Sequence, residues 1–455
     1  MSGKRKSYDA VVIGFGKGGK TIAGALGSAG KKVAMIEQST KMYGGTCINV
    51  GCIPTKSLVN SAKEAAFGCR DGREVYAEAV QRKAQLVEKL RGKNYQKLAG
   101  DPNITVIDGK ARFVSPHEVE VDTAEETLIV SGEQFFINTG SVPFIPPVKG
   151  IENNPYVYMS ETLLDMEELP ERLVIIGGGY IGVEFASIYA DFGSKVSILQ
   201  DGPVFLPRED EEIAREVRGS LERRGVRVLT EVKVEEVKEA AGHAEVVIST
   251  KEGTDLLEAE AVLAATGRRP NTKGLNLEAA GVQVNERGGI ITDDSRTTTA
   301  PHIYAMGDVV GGLQFTYISL DDYRIVRSKI MGDGSYTLDK RGAVPYSVFL
   351  NPPFSRVGMS EAEALKAGHK VKTARLGAAA IPKAQVLRQP EGLLKAVIDE
   401  DTGRILGAHL FCEESHELIN LVKIAMDAGL HYTVLKDMIF THPTMGEALN
   451  DLFNV

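Results

Sequence analysis

The chain has 455 residues, enough for about three domains of ordinary size, each with its own core. Its 43% hydrophobic and 25% charged residues fit a globular protein, and a formal charge of -8 with a pI near 5.7 excludes the basic field of a nucleic-acid binder. Four cysteines do not make a secreted disulfide scaffold, and no stretch approaches the ~20 apolar residues of a membrane span.

The basic start, Met1 to Lys6, is followed by an apolar run too short for a signal peptide, so the cytoplasm is the expected location. That run, Ala10-Val11-Val12-Ile13, reads as a buried strand leading into Gly14-Phe15-Gly16-Lys17-Gly18-Gly19, a Gly-x-Gly-x-x-Gly turn. A small-residue helix from Lys20 to about Ala29 and a strand from Lys32 to Ile36 follow, ending at Glu37. In this context Gly14, Gly16 and Gly19 let a backbone approach a pyrophosphate, the helix N-terminus favours its charge, and Glu37 accepts hydrogen bonds from a ribose.

Immediately downstream comes Gly44-Gly45-Thr46-Cys47-Ile48-Asn49-Val50-Gly51-Cys52-Ile53-Pro54-Thr55-Lys56. Residues five apart on a regular helix are separated by roughly 7.5 Å of rise, whereas a disulfide needs Cα atoms about 4.4–6.8 Å apart. A Cys47–Cys52 bond therefore requires an irregular turn, for which Gly51 supplies freedom, while Pro54 suits the first turn of a helix starting near Cys52. That placement lowers the Cys52 thiol pKa. A redox pair, a structural disulfide, a zinc half-site lacking nearby histidine, and two unrelated thiols are all open on spacing alone.

Residues 60 to 100 read as charged helix, with Cys69 a structural residue, and 104 to 130 as a β-meander. Phe135 to Ile137 form a strand ending in Thr139-Gly140, and the prolines from Pro143 to Pro147 mark a domain crossing. Leu173 to Ile176 begin a second copy of the opening unit, with Gly177-Gly178-Gly179-Tyr180-Ile181-Gly182 at its turn. Two such units imply two dinucleotides, and a flavin with a nicotinamide is the pairing that makes chemical sense. The position matching Glu37 is Gln200, with no arginine immediately after it for a 2′-phosphate, which favours NADH with NADPH possible. Thr266-Gly267 echoes the Thr139-Gly140 turn, and Met306-Gly307-Asp308 ends another strand, with Asp308 a candidate for the flavin's ribityl chain. From about Tyr346 the pattern turns to alternating strands and a helical end containing His442-Pro443-Thr444-Met445-Gly446-Glu447.

These motifs together resemble the pyridine-nucleotide disulfide oxidoreductases, which include lipoamide dehydrogenase, glutathione reductase and mercuric reductase. The resemblance implies an α/β fold of two Rossmann-like dinucleotide-binding domains plus a C-terminal α+β dimerisation domain. The expected divisions are an FAD-binding domain over 1–149 and 273–343, a nicotinamide domain over 150–272, and an interface domain over 344–455. FAD is then held by Gly14, Gly16, Gly19, Glu37, Gly45, Thr46, Lys56, Ala111, Thr139, Gly140 and Asp308. NAD(P)H is held by Gly177, Gly179, Tyr180, Ile181, Gly182, Glu184, Gln200 and Gly267. By the same resemblance, hydride passes from nicotinamide to flavin beneath Tyr180, and Lys56, paired with Glu184, favours the reduced flavin. Cys52 takes the electrons, Cys47 meets the acceptor, and His442, oriented by Glu447, is the acid/base delivered from the other subunit of a homodimer.

A narrower likeness, carried by Met42-Tyr43, Phe205 to Asp210 and Gln314 to Tyr323, is to bacterial flavoproteins of reactive-chlorine resistance that reduce copper(II). The C-terminal run Asn450 to Val455 lacks the paired cysteines of mercuric reductase, leaving Cys47 and Cys52 as the evident pair for a soft metal in transit. Dihydrolipoamide dehydrogenase, a mercuric-reductase-like enzyme and a redox-sensing flavoprotein of little turnover are the alternatives.

Overall fold

The computed structural model describes residues 4–68 and 70–455, so Cys69 lies outside the described residues. The opening unit forms as strand β1 (Lys4–Ile13), helix α1 (Lys17–Ser28) and strand β2 (Val33–Glu37), with β1 and β2 parallel. Two short helical pieces carry the cysteines: α2 (Thr46–Asn49) and the start of α3 (Cys52–Phe67). Helix α4 (Gly72–Ala99) packs beside α3. Strands β3 (Ile104–Asp108), β4 (Lys110–Ser115), β5 (Glu118–Asp122) and β6 (Thr127–Ile137) complete the first sheet in the order β3-β2-β1-β6-β5-β4, with Ile303–Ala305 added on β6.

One element departs from the sequence expectation. Ile104–Asp108 is not part of a meander; it lies parallel to β2, pairing Val33 with Ile104 and Glu37 with Asp108, and only β4, β5 and β6 run antiparallel. Alternating polarity looks the same in both settings, because the partner strand rather than the strand itself decides the direction.

The second unit repeats the plan with a five-stranded parallel sheet ordered Arg227–Leu229, Lys195–Leu199, Arg172–Ile176, Ala261–Ala264, Val157–Tyr158. Its crossover helix, Tyr180–Phe192, buries nearly its whole length, as its mostly apolar sequence requires. A three-stranded antiparallel sheet from Lys233 to Ala259 covers this unit. The C-terminal region is a five-stranded antiparallel sheet ordered Tyr346–Val348, Phe354–Gly358, Ile405–Phe411, Leu393–Asp399, Val371–Gly377, flanked by helices.

The largest apolar core joins these parts. Leu58 on α3, Tyr76 on α4, Leu173 and Ile175 of the second sheet, Tyr189 of its helix and Phe354 of the third sheet share one buried cluster. Tyr76 and Tyr189 also exchange a hydroxyl hydrogen bond of 3.1 Å inside it. The helix that begins at Cys52 is thus fixed against the helix that begins at Tyr180, which sets the relation of the two dinucleotide turns. Among the described residues no helix is long and apolar enough to cross a membrane.

Candidate active site

The cysteine segment is held by its own polar side chains. Gly45, at a φ of 77°, packs so closely on the first glycine turn that a Cβ would come 2.7 Å from the Gly16 Cα. Asn49 donates to the carbonyls of Tyr43 and Gly45 at 3.0 and 2.9 Å and accepts from Arg91 Nε at 2.8 Å, tying the turn to α4. Both Cys47 and Cys52 carry free thiols, the reduced form of the expected pair. Cys52 is the first residue of α3, with Gly51 as its cap, and its Sγ lies 3.5 Å from Thr316 Oγ1 at the start of the helix Thr316–Met331.

The pair is electrically unequal. Donation from the Cys47 thiol pulls the Cys52 pKa down to about 6, against the opposing effect of burial, with further help from Thr316 and the Lys56 charge. Cys47 is pushed up by the same hydrogen bond and by burial, so the reduced pair is a Cys52 thiolate beside a Cys47 thiol. The sequence points to the helix N-terminus as a cause of a low Cys52 pKa; the structure adds the Cys47 thiol, Thr316 and Lys56 beside it. Cys412, fully buried with its pKa raised by desolvation, is inert.

One turn along α3, Lys56 Nζ donates to both Glu184 oxygens at 2.9 and 2.7 Å, and it lies 4.7 Å from the centre of the Phe349 ring. Glu184 also accepts the Phe349 N–H at 2.7 Å. Because Glu184 follows Tyr180 by one helical turn, as Lys56 follows Cys52, the two helices bring Tyr180 and the dithiol to one space. That space is a cavity of about 1770 Å³, lined by both glycine turns and by both cysteines. It exceeds the usual range for a single ligand.

Most of the expected residues face this cavity: Gly14, Gly16, Glu37, Gly45, Thr46, Ala111, Thr139, Gly140 and Asp308 on the first side, and Gly177, Gly179, Tyr180, Ile181, Glu184, Gln200 and Gly267 on the second. Gly19 and Gly182 do not. Each packs its Cα against a turn carbonyl, where a Cβ would come 2.3 Å from Gly14 O and 2.1 Å from Gly177 O, so these two glycines serve helix packing instead of ligand approach. The donor set fits two dinucleotides. A Cβ at Gly140 or Gly179 would meet nothing within 4 Å, leaving open cradles beside exposed backbone. Glu37, buried at the end of β2, accepts the Phe15 N–H at 2.9 Å and the Ser39 N–H at 3.2 Å, and burial raises its pKa. Gln200 accepts the Gly178 N–H at 3.0 Å and donates to Asp201 at 3.0 Å. Asp308 accepts from Ser141 Oγ at 2.7 Å, and Arg268 holds that serine at 2.9 Å. Burial again raises the carboxyl pKa.

Several contributors escaped the sequence reading. Asn138 accepts the Gly19 N–H at 2.8 Å and donates to Met306 O at 2.6 Å, pinning helix α1 to the strand that ends in Asp308. Lys20, directly after the glycine turn, has its pKa lowered to about 8 by burial and by Lys17; two lysines inside a glycine-rich turn were the visible signal. Thr316 lay within a quoted motif without being singled out.

His442 and Glu447 do not line the cavity. His442 Nδ1 sits 2.8 Å from Glu447 Oε2, and the imidazole side chain is 70% exposed. Nearby, Ile424, Val434, Met438 and Ile439 leave apolar surface in solvent, with Ile439 94% exposed. Among the described residues no group of three or more His, Cys, Asp or Glu is arranged to hold a resident metal ion.

The fold and this site define a flavin- and nicotinamide-dependent disulfide oxidoreductase. The profile of the pyridine nucleotide-disulphide oxidoreductases matches residues 8–322, and that of their dimerisation domain matches residues 344–453; the chain belongs to this family. It is 51% identical over 448 residues to the probable pyridine nucleotide-disulfide oxidoreductase RclA of Escherichia coli (strain K12), covering 98% of this chain and 99% of that one. A solved structure of the Cu(II) complex of HOCl-induced flavoprotein disulfide reductase RclA from Escherichia coli superposes with a TM-score of 0.94 over 98% of this chain and 99% of its own. A mercuric reductase of Lysinibacillus sphaericus is 33% identical over 97% of this chain and 81% of its own. The chain is therefore an FAD- and NAD(P)H-dependent enzyme that works as a homodimer.

Proposed function

We propose that the enzyme carries electrons from NADH to copper(II), or to an oxidant of similar chemistry, through the Cys47/Cys52 pair. Bound FAD supplies the two-electron link between the nicotinamide and the thiols. Gly14, Gly16, Glu37, Gly140 and Asp308 hold it, while Gly177, Gly179 and Gln200 hold the nicotinamide dinucleotide. Asp201, which fixes the Gln200 amide at 3.0 Å, sets a carboxylate beside the expected ribose, where a 2′-phosphate would be repelled, in favour of NADH.

The observation that carries the reading is the unequal dithiol. A Cys52 thiolate faces the cavity, Cys47 keeps the proton, and among the described residues the two soft sulfurs have no third His, Cys, Asp or Glu arranged to trap a metal. In one turnover two copper(II) ions gain one electron each, the Cys47–Cys52 bond closes, and the Cys47 proton leaves. Lys56, ion-paired with Glu184, stands close enough to the thiolate to favour it. The copper complex of the 51% identical relative supports the choice of acceptor. Few cysteines and free thiols at Cys47 and Cys52 suit the reducing cytoplasm.

Anaerobic copper(I) formation with NADH tests the reading. Cys47→Ser and Cys52→Ser are each expected to lose it by ~100-fold or more while NADH still bleaches the flavin. Wild-type rates in both variants would end the assignment. A second reading, dihydrolipoamide oxidation, is favoured by the His442–Glu447 hydrogen bond, which suits a thiol proton better than a metal ion. Rapid NAD-dependent oxidation of dihydrolipoamide would put it first.

A further inference from the structure

Tyr180 does more than line the cavity. Its hydroxyl donates to Glu209 Oε1, and Tyr346, on the first strand of the third sheet, donates to the same oxygen at 2.7 Å. The two hydroxyls are 3.3 Å apart, and the rings lie 5.6 Å apart at 34°. One carboxylate oxygen thus gathers two phenols that the chain supplies from positions 180 and 346. The Glu209 side chain is 1% exposed, its Oε2 has no hydrogen-bond partner among the described residues, and it faces Arg356 Nη1 at 3.6 Å.

The Glu209 charge is paired with Arg356 on the Oε2 side, which leaves Oε1 to take both phenols. The carboxylate is clamped in place by its neighbours. Arg356 donates to the Arg208 carbonyl at 2.5 Å, and Lys395, 2% exposed, binds Asp210 at 2.9 Å. The segment 208–210 is therefore anchored on the third sheet on both sides of Glu209. Tyr180 is the first residue of its helix, and rotation about its side-chain torsions is the simplest way to move the ring. The ring stands between the Gly177–Gly179 turn and Glu184, where a nicotinamide approaching Lys56 and the dithiol has to pass.

We propose that Glu209 is a positioning residue of the NADH half-reaction: it holds the Tyr180 ring across the nicotinamide path, so that the coenzyme must break a phenol–carboxylate hydrogen bond to enter. The inference rests on the second glycine turn being the nicotinamide site, and is independent of which oxidant accepts the electrons.

Steady-state kinetics with NADH and an excess of one artificial acceptor test it on the FAD-loaded dimer. Replacing the charged acceptor by a neutral one in Glu209→Gln is expected to lower KM for NADH ~5-fold with kcat within ~2-fold, the split between charge-assisted and neutral hydrogen bonds. Tyr180→Phe keeps the ring and removes the hydroxyl, and is expected to lower KM similarly. The double variant gains nothing beyond Tyr180→Phe, because both changes act on the same bond and the phenylalanine already removes it. If Glu209→Gln does not fold with its flavin, Tyr180→Phe carries the test alone. An unchanged KM in Tyr180→Phe, or effects that multiply in the double variant, overturns the proposal. Tyr180→Ala separates the two ideas: if it alters NADH kinetics while the conservative variants do not, only the role of Glu209 fails. If none of the three moves them, the nicotinamide placement fails with it.

Discussion

The proposed thiol chemistry draws on both Cys52 and His442, yet the chain surrounds them very differently. Around Cys52 it supplies a donor thiol, Thr316 and the Lys56–Glu184 pair, all on the wall of a large cavity. Around His442 it supplies one carboxylate, and the ring is left in solvent beside an apolar face. In the proposed mechanism the electron-receiving half is built within one chain, whereas the proton-handling half would be completed by a second chain covering His442. An acceptor that takes electrons alone needs the first half; a dithiol substrate that must lose or gain a proton needs both.

The largest test of that contrast is His442→Ala. Oxidation of a dithiol substrate is expected to fall ~100-fold or more, the usual worth of a positioned acid or base. NADH-dependent copper(II) reduction is expected to change by no more than ~3-fold, because the one proton released as the dithiol closes, from Cys47, can pass to solvent without His442. Equal losses with the two acceptors, measured at saturating NADH, would erase the distinction between the halves.

A smaller effect is expected at the exposed apolar face. Ile439→Asp puts a charge on this face, where burying an isoleucine against a second subunit would contribute about 1.5–3 kcal/mol, counted twice in a symmetric dimer. The dimer should dissociate at concentrations ~100-fold higher than wild type by sedimentation. Monomers should lose dithiol turnover in parallel while NADH still reduces their flavin. A variant that stays dimeric at all concentrations would place the interface elsewhere.

The same contrast governs what could be read in the sequence. The dithiol and both glycine turns are local patterns, each confined to a few positions, and so is the histidine with its acid five residues on. Their surroundings are not local. Thr316 meets Cys52 across 264 positions, Tyr346 meets Glu209 across 137, and Asn138 joins Gly19 to Met306. Phe205 to Asp210 could be matched as a motif, but only folding shows that Glu209 reaches the hydroxyl of Tyr180. Ile104–Asp108 was misplaced for a related reason: its alternation is local, while its parallel pairing with β2 is decided by the chain's return. Gly19 and Gly182 show the opposite limit, since their motif spacing is plain and their packing role is not.

The smallest expected effect is a shift in pH, and it concerns the Cys52 side alone. A thiolate held at about 6 is present above that pH and is protonated as the pH falls through it, so electron transfer that starts from the thiolate is retained at neutrality and lost on the acid side. Removing a donor raises the pKa and moves the loss toward neutral pH. The Cys47 thiol lowers the Cys52 pKa more than Thr316 does, so Cys47→Ala should shift the titration further than Thr316→Val, for which about one unit is expected. The long-wavelength absorbance that a thiolate gives beside an oxidised flavin reads the titration directly, in Cys47→Ala as purified and in Thr316→Val after two-electron reduction. The dyad on the exposed face should leave this titration unmoved, and a shift in His442→Ala as large as that in Thr316→Val would mean that His442 and the dithiol form a single charged unit.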